Sequence, residues 1–166
     1  MPTKPEDAIE LLEASHRSVE QGFEQFRLLS AQGAAVPRRK ALADQICVAL
    51  TIHARLEEEI FYPGVRESIR DENLLDDAEE EHAASRELIG QILGLDPEDD
   101  SLDSKVTALA ACIECHVGKE REKMFPRVRG SALDLDGLGE RLRLREQELQ
   151  VVSEALREEA LASMLT

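Results

Sequence analysis

The sequence predicts an all-α protein, an up-down-up-down four-helix bundle with an additional C-terminal helix. Three observations point there. The 166-residue chain is rich in Leu, Ala, Glu and Arg, holds one Tyr and no Trp, and has few β-branched runs, a composition that favours helix. Apolar residues recur every three or four positions through four long stretches, the spacing that lays one apolar stripe along a helix. Short polar breaks separate the stretches, so consecutive helices run antiparallel and pack as neighbours.

Taken in order, Thr3 and Glu6 make a capping-box pattern around Pro5, and the helix it opens carries Ile9, Leu12, His16, Val19, Phe23 and Phe26 on one face. The polar segment 30–37 ends it. The second helix runs from about residue 38 to 62, with Leu42, Ile46, Ala49, Leu50, His53, Glu57, Ile60 and Phe61 inward, and Pro63 and Gly64 as its stop. The third, from about 72 to 94, turns Leu75, Ala78, His82, Ser85, Ile89 and Leu93 inward. After the break at 95–101, with Ser101 as cap, the fourth carries Val106, Leu109, Ile113, His116, Glu120 and Met124 and closes at Pro126. Residues 1–128 thus form the bundle. Residues 129–166 form a linker and a charged amphipathic helix from about 138 to 165. Its near-heptad seam of Leu142, Leu149, Val152 and Leu156 suits packing along the bundle or a homodimer contact.

One phrase is written twice. Residues 52–66, IHARLEEEIFYPGVR, and 115–129, CHVGKEREKMFPRVR, each place a Glu four residues after a His and a Pro ten residues after it. Positions i and i+4 share one helix stripe, about 6 Å apart, so each helix aims an imidazole and a carboxylate inward. His16 and His82 repeat the arrangement on the preceding helices, and all four histidines of the chain fall on inward stripes. An ionised carboxylate in a dry interior costs several kcal/mol unless it is paired or bound to metal. Imidazoles and carboxylates together suit Fe, Mn or Zn, and facing helices of a bundle frame a carboxylate-bridged metal pair. If two octahedral irons shared the four histidines, with both glutamates and one oxo or hydroxo group between them, each would keep one open position. A peroxide would fit across the two.

Other residues receive plainer readings. Glu20 and Glu79 stand within a turn of His16 and His82 and are secondary candidates for the site, although both lie in acidic stretches suited to a solvated face. Arg86, one turn from His82, is either a partner for a bridging carboxylate or a solvated side chain. Tyr62 reads as packing, and Glu58 and Glu59 as solvated. Residues 112–116 spell C-x-x-C-H, the attachment signature of a c-type haem. Haem is rejected because His53, the twin of His116, has no cysteines in the matching places. The three cysteines read as small buried hydrophobes rather than as a disulfide framework.

A net charge of −15 argues against nucleic acid and anionic membrane as partners. No apolar run reaches the roughly 20 residues of a membrane span, and the start MPTKPEDAIE lacks the features of a signal peptide, so the expected location is cytoplasmic.

The pattern of His then His-x-x-x-Glu, twice, with the Phe-Tyr-Pro and Met-Phe-Pro endings, resembles the hemerythrin-like family with the HHE cation-binding domain, from about residue 7 to 126. The segment LGERLRLREQEL is similar to the extra helix that many of these proteins carry after the bundle. The resemblance implies a non-haem di-iron centre held by His16, His53, Glu57, His82, His116 and Glu120, with both glutamates as bridges. It also implies small-molecule ligands: O2, peroxide or NO. Oxygen-carrying members have a fifth His where this chain has Arg86, a departure from the reversible carrier. The four-His, two-Glu pattern is similar to bacterial members associated with peroxide, nitric oxide and oxygen responses, including mycobacterial ones with catalase activity. Three classes follow: an enzyme acting on peroxide, a binding, sensing or iron-storage module, and a metal-free structural bundle. Divalent metals other than iron also suit the donor set.

Overall fold

The computed structural model describes residues 4–164, with side chains to residue 162. Helix α1 (Ala8–Ala31) is opened by Asp7, whose carboxylate accepts from the Glu10 N–H while the Glu10 carboxylate accepts from the Asp7 N–H. This capping box satisfies two otherwise unpaired N–H groups. It lies four residues beyond the expected one, whose Thr3 falls outside the described residues.

The largest departure from expectation concerns the prolines. Helix α2 (Val36–Leu56) does not stop at Pro63 but passes through a π-helical turn, Glu57–Phe61, into α3 (Tyr62–Ile69). After α4 (Glu72–Leu93), helix α5 (Leu102–Lys119) does the same through the π turn Glu120–Met124 into α6 (Phe125–Arg129), past Pro126. Inside an α-helix a proline lacks the N–H for the carbonyl four residues back and its ring collides with it. Here the Tyr62 and Phe125 N–H groups reach back five residues, to the Glu57 and Glu120 carbonyls. The ladder is re-registered, and each proline falls in the first turn of the next helix, where no N–H is required.

Ser101 stands at the start of α5, but its hydroxyl donates to Asp99 instead of capping the helix. Ala49 is exposed, and Ala43 and Cys47 fill the buried stripe of α2 in its place. The C-terminal element is two helices, α7 (Leu135–Val151) and α8 (Ser153–Met164), broken at Val152, which is 46 % exposed. The buried seam is Leu138, Leu142, Leu149 and Leu156. Helix α7 lies against α1 and α2, and the break at Val152 swings α8 onto α2 and α4. At Gly139 a Cβ would come within 2.7 Å of the Glu6 carbonyl, so only glycine admits this close approach of α7 to the start of α1.

The four helical rods form a closed ring of neighbours, α1 beside α2, α2 beside α4, α4 beside α5, and α5 beside α1. Their interior has two apolar layers. One joins Leu12, Leu56, Phe61, Leu75, Met124 and Leu142, and the other Val19, Phe26, Ile46, Leu50, Ile92 and Leu109. Between them lies a polar layer. Among the described residues no helix is long and apolar enough to cross a membrane.

Candidate metal centre

The polar layer consists of four histidines and two glutamates. His16 comes from α1, His53 from α2, His82 from α4 and His116 from α5, each 4–6 % exposed. Glu57 and Glu120, 0 % and 1 % exposed, are the first residues of the two π turns. The turns matter here, because the wider loop carries position i+5 over the glutamate in place of i+4. That brings Tyr62 and Phe125 to the site.

The six side chains converge through their Nε2 and carboxylate oxygen atoms. His16 Nε2 lies 3.0 Å from His53 Nε2, and His82 Nε2 lies 3.2 Å from His116 Nε2. Glu57 Oε1 sits 3.2, 3.1 and 3.6 Å from the Nε2 atoms of His53, His82 and His116, while Glu120 Oε1 sits 3.2 and 3.4 Å from those of His16 and His116. The donors form two groups, His16–His53–Glu57–Glu120 and Glu57–His82–His116, each with donor atoms within 4.8 Å of one another. Glu57 belongs to both. Separations near 3 Å are those of neighbouring ligands on one ion with bonds of about 2.1 Å. The donor set fits a cation on a second count: Glu57 Oε2 and Glu120 Oε1 are buried and accept no hydrogen bond. Such orphaned acceptors are rare and costly unless something positive lies between them.

Each imidazole is also held from behind. The Nδ1 atoms of His16, His82 and His116 donate to Glu13, Glu58 and Glu81 at 2.8, 2.9 and 3.2 Å, whereas His53 Nδ1 meets the Ser15 hydroxyl at 2.8 Å. An ionised carboxylate only accepts, so it keeps the proton on Nδ1 and turns the Nε2 lone pair to the centre. Burial would raise the pKa of Glu13, Glu58 and Glu81, but their histidines together with Arg121, Arg86 and Lys119 hold them below the usual carboxylate range.

The titration of the metal-free site follows the same pattern. Burial disfavours the charged form of every histidine, yet the hydrogen bonds that His82 donates to Glu57 and Glu58 push it up to about 10, and the one that His116 donates to Glu57, with the charge of Glu120, pushes it up to about 9. His16 is raised as well, against burial, by Glu120. His53, the one backed by a hydroxyl, is lowered by burial. Burial and the facing charge of Glu57 push Glu120 up to about 7.

This sequence matches the profile of the hemerythrin HHE cation-binding domain over residues 7–163. The chain belongs to that family. The HHE match takes in α7 and most of α8 as well as the bundle. A crystal structure of an HHE cation-binding domain-containing protein from Mycobacterium kansasii superposes with a TM-score of 0.73 at 21 % identity, covering 94 % of this chain and 99 % of that one. It shares the fold. A protein of Nostoc sp. (strain PCC 7120 / SAG 25.82 / UTEX 2576) named DNA nickase is 32 % identical over 87 residues, 52 % of this chain. The chain spans only about a quarter of that relative's length, 24 %.

The HHE domain disposes of the secondary candidates one by one. Glu20 pairs with Arg121 at 2.9 Å and Glu79 with Arg66 at 3.2 Å, both in solvent and away from the cluster. Arg86 is 54 % exposed and touches Glu58 at 3.4 Å, not a central carboxylate. Glu58 is not solvated as expected, because α4 crosses above it and offers His82. Glu59 does face solvent and pairs with Arg145. Tyr62 does more than pack: its hydroxyl donates to Glu120 Oε2 at 3.0 Å and lies 3.3 Å from the Nε2 atoms of His82 and His116. Burial, with the charges of Glu57 and Glu120, holds its pKa well above the usual value, so the phenol keeps its proton. Of the cysteines only Cys47 is buried. Cys112 is half-buried and Cys115 exposed, on a helix whose His116 turns the other way into the core. Sequence reasoning missed the carboxylates behind the imidazoles. Glu13 and Glu81 stood three residues before His16 and one before His82, but nothing along the chain told which imidazole Glu81 would meet.

Proposed function

We propose that this domain binds two iron ions through His16, His53, Glu57, His82, His116 and Glu120 and turns over peroxide. The observation that carries the reading is Glu57, common to both donor groups, with an unpaired buried oxygen left over. Each group offers three or four protein donors, fewer than the six of an octahedral ion. Open positions therefore remain for a small molecule. Iron would supply two adjacent one-electron redox centres at the place where peroxide meets the cluster.

The chain's own groups supply orientation and proton control. Glu13, Ser15, Glu58 and Glu81 fix the four rings. The Tyr62 hydroxyl keeps its proton and directs it at Glu120 Oε2, beside His82 and His116, within reach of a ligand there, and the apolar layer of Leu12, Leu56, Phe61 and Met124 closes the cluster on one side. In the reaction we assign, one hydrogen peroxide is reduced to two waters while a second is oxidised to dioxygen, so no outside reductant is required. A net charge of −15 favours such uncharged small molecules over nucleic acid.

Purification from iron-supplied growth, followed by metal analysis and an oxygen electrode, tests this. About two irons per chain and oxygen release from hydrogen peroxide are expected, with both lost in His53→Ala. Less than one metal per chain would end the reading. Oxygen release that survives in the metal-depleted variant would assign the activity to a contaminant, and full metal content without turnover would favour the alternative, an O2- or NO-binding or iron-storage module.

A further inference from the structure

Beside the cluster a chamber of about 330 Å³ opens between the bundle and α8. Its inner end is made by the imidazoles and Glu57, and its walls by Val19, Leu50, Ile89, Ile113 and Val117 of the bundle with Leu156 of α8. Two polar residues in the wall, Thr51 and Ser85, have turned their hydroxyl hydrogens back to the Cys47 and Glu81 carbonyls of their own helices. They donate nothing to the chamber. At the mouth two cations, Arg55 and Arg86, stand with two anions, Glu159 and Glu58, paired at 3.8 and 3.4 Å.

Size and charge together narrow what fits. At about 30 Å³ for a water-sized group, the chamber has room for about ten heavy atoms, whereas hydrogen peroxide brings two. The apolar wall gains free energy from covering by hydrocarbon, not from water. The mouth carries no net charge and the whole chain is strongly acidic, so an anionic amphiphile is repelled.

We propose that this chamber binds an uncharged organic hydroperoxide of about ten heavy atoms, its apolar body on the walls and its –OOH end at the His/Glu cluster. The proposal rests on the peroxide reading above and names a second substrate class for it. In the reaction the O–O bond of the organic hydroperoxide breaks. It takes up two electrons and two protons to leave as alcohol and water, and hydrogen peroxide gives up two electrons and two protons to leave as dioxygen. The sum is ROOH + H2O2 → ROH + H2O + O2.

The test uses the metal-loaded full chain with cumene hydroperoxide as substrate and its stable product, 2-phenyl-2-propanol, as a calorimetric probe. Saturable binding of one alcohol per chain is expected, and with hydrogen peroxide supplied as the reductant cumene hydroperoxide should yield its alcohol, each alcohol accompanied by at least one dioxygen because disproportionation of hydrogen peroxide runs alongside. Ala54→Leu and Ile113→Phe, on different helices, each add volume to the chamber wall at positions outside the six-residue cluster. Each is expected to lower kcat/KM for cumene hydroperoxide, and the affinity for the alcohol, about tenfold, while hydrogen peroxide disproportionation changes less than about twofold. Hydrogen peroxide turnover with no alcohol binding and no use of cumene hydroperoxide overturns the chamber proposal and leaves the peroxide reading standing. An equal fall for both peroxides in both variants overturns it too. Alcohol binding without turnover of either peroxide supports the organic site and removes the peroxide reading.

Discussion

The two halves of the bundle, α1–α3 and α4–α6, are built on one plan and differ at three matched positions. The residue before the first histidine backs the histidine of the following helix in both halves, but it is Ser15 in one and Glu81 in the other. The residue after the glutamate reaches across to the other half. Glu58 accepts from His82 directly, whereas Arg121 grips Glu13, which in turn holds His16. Five residues after the glutamate stand Tyr62 and Phe125. The phenol donates into the cluster, and the phenyl ring stacks on His16 at a centroid distance of 6.0 Å. Duplication thus supplied equal geometry and unequal electrostatics. The pair His82–His116 has a carboxylate behind each ring and the Tyr62 hydroxyl beside it, whereas in the pair His16–His53 only His16 is backed by a carboxylate and no phenol reaches the rings.

The comparison breaks most completely at the two glutamates. Glu57 serves both donor groups and Glu120 only one, so Glu57→Ala is expected to lose both metals and Glu120→Ala to keep about one per chain, read by elemental analysis. Equal losses would mean that the halves share their carboxylates evenly. Tyr62→Phe erases the difference between positions 62 and 125. We expect unchanged metal content and a fall in peroxide turnover of about 10²-fold, the usual worth of a placed proton donor, and an unaffected rate would return Tyr62 to packing. Glu81→Ser gives the second half the backing of the first. It should weaken metal binding there by about 10- to 100-fold in competition with a chelator, the range for losing a carboxylate behind a ligating imidazole.

A smaller effect separates the halves by titration. In the metal-free protein His82 and His116, at about 10 and about 9, carry protons at neutral pH, while His53 is shifted the other way. Zinc loading in weak buffer at pH 7 should therefore release at least two protons per chain to an indicator dye, with Glu120, at about 7, and His16, also raised, adding to those of His82 and His116. Both pKa values are raised on folding. Their stabilising contribution to the metal-free chain is complete below about pH 6.5 and disappears as pH rises through about 9 and about 10. Least of all, Arg127→Ala, which cuts the exposed bridge to Asp71 and leaves the cap of α4 in place, should leave the denaturant midpoint nearly unchanged.

What the sequence revealed and what it hid divide along physical lines. The six central side chains could be read because an i, i+4 pair on an apolar stripe has one direction to face. Pro63 and Pro126 misled, since a proline after a helical run ends it under ordinary α-helical hydrogen bonding. The repeated six-residue spacing from each glutamate to its proline was the trace of the π turns, but it has no meaning until the five-residue ladder is known. Glu58 was lost for a different reason. Adjacent to a buried residue, it points outward from its own helix, and only the crossing of α4 above it turns that outward face into an inside one. The break at Val152 left no mark, because Leu142, Leu149 and Leu156 keep their seven-residue spacing across it.

The lone tyrosine of a chain without tryptophan touches the six-residue cluster. Its ultraviolet emission is thereby a native reporter of that place alone. Quenching by a paramagnetic ion, or its recovery after chelation, would read out occupancy of the centre in the unlabelled protein, with no background from any other fluorophore of its kind.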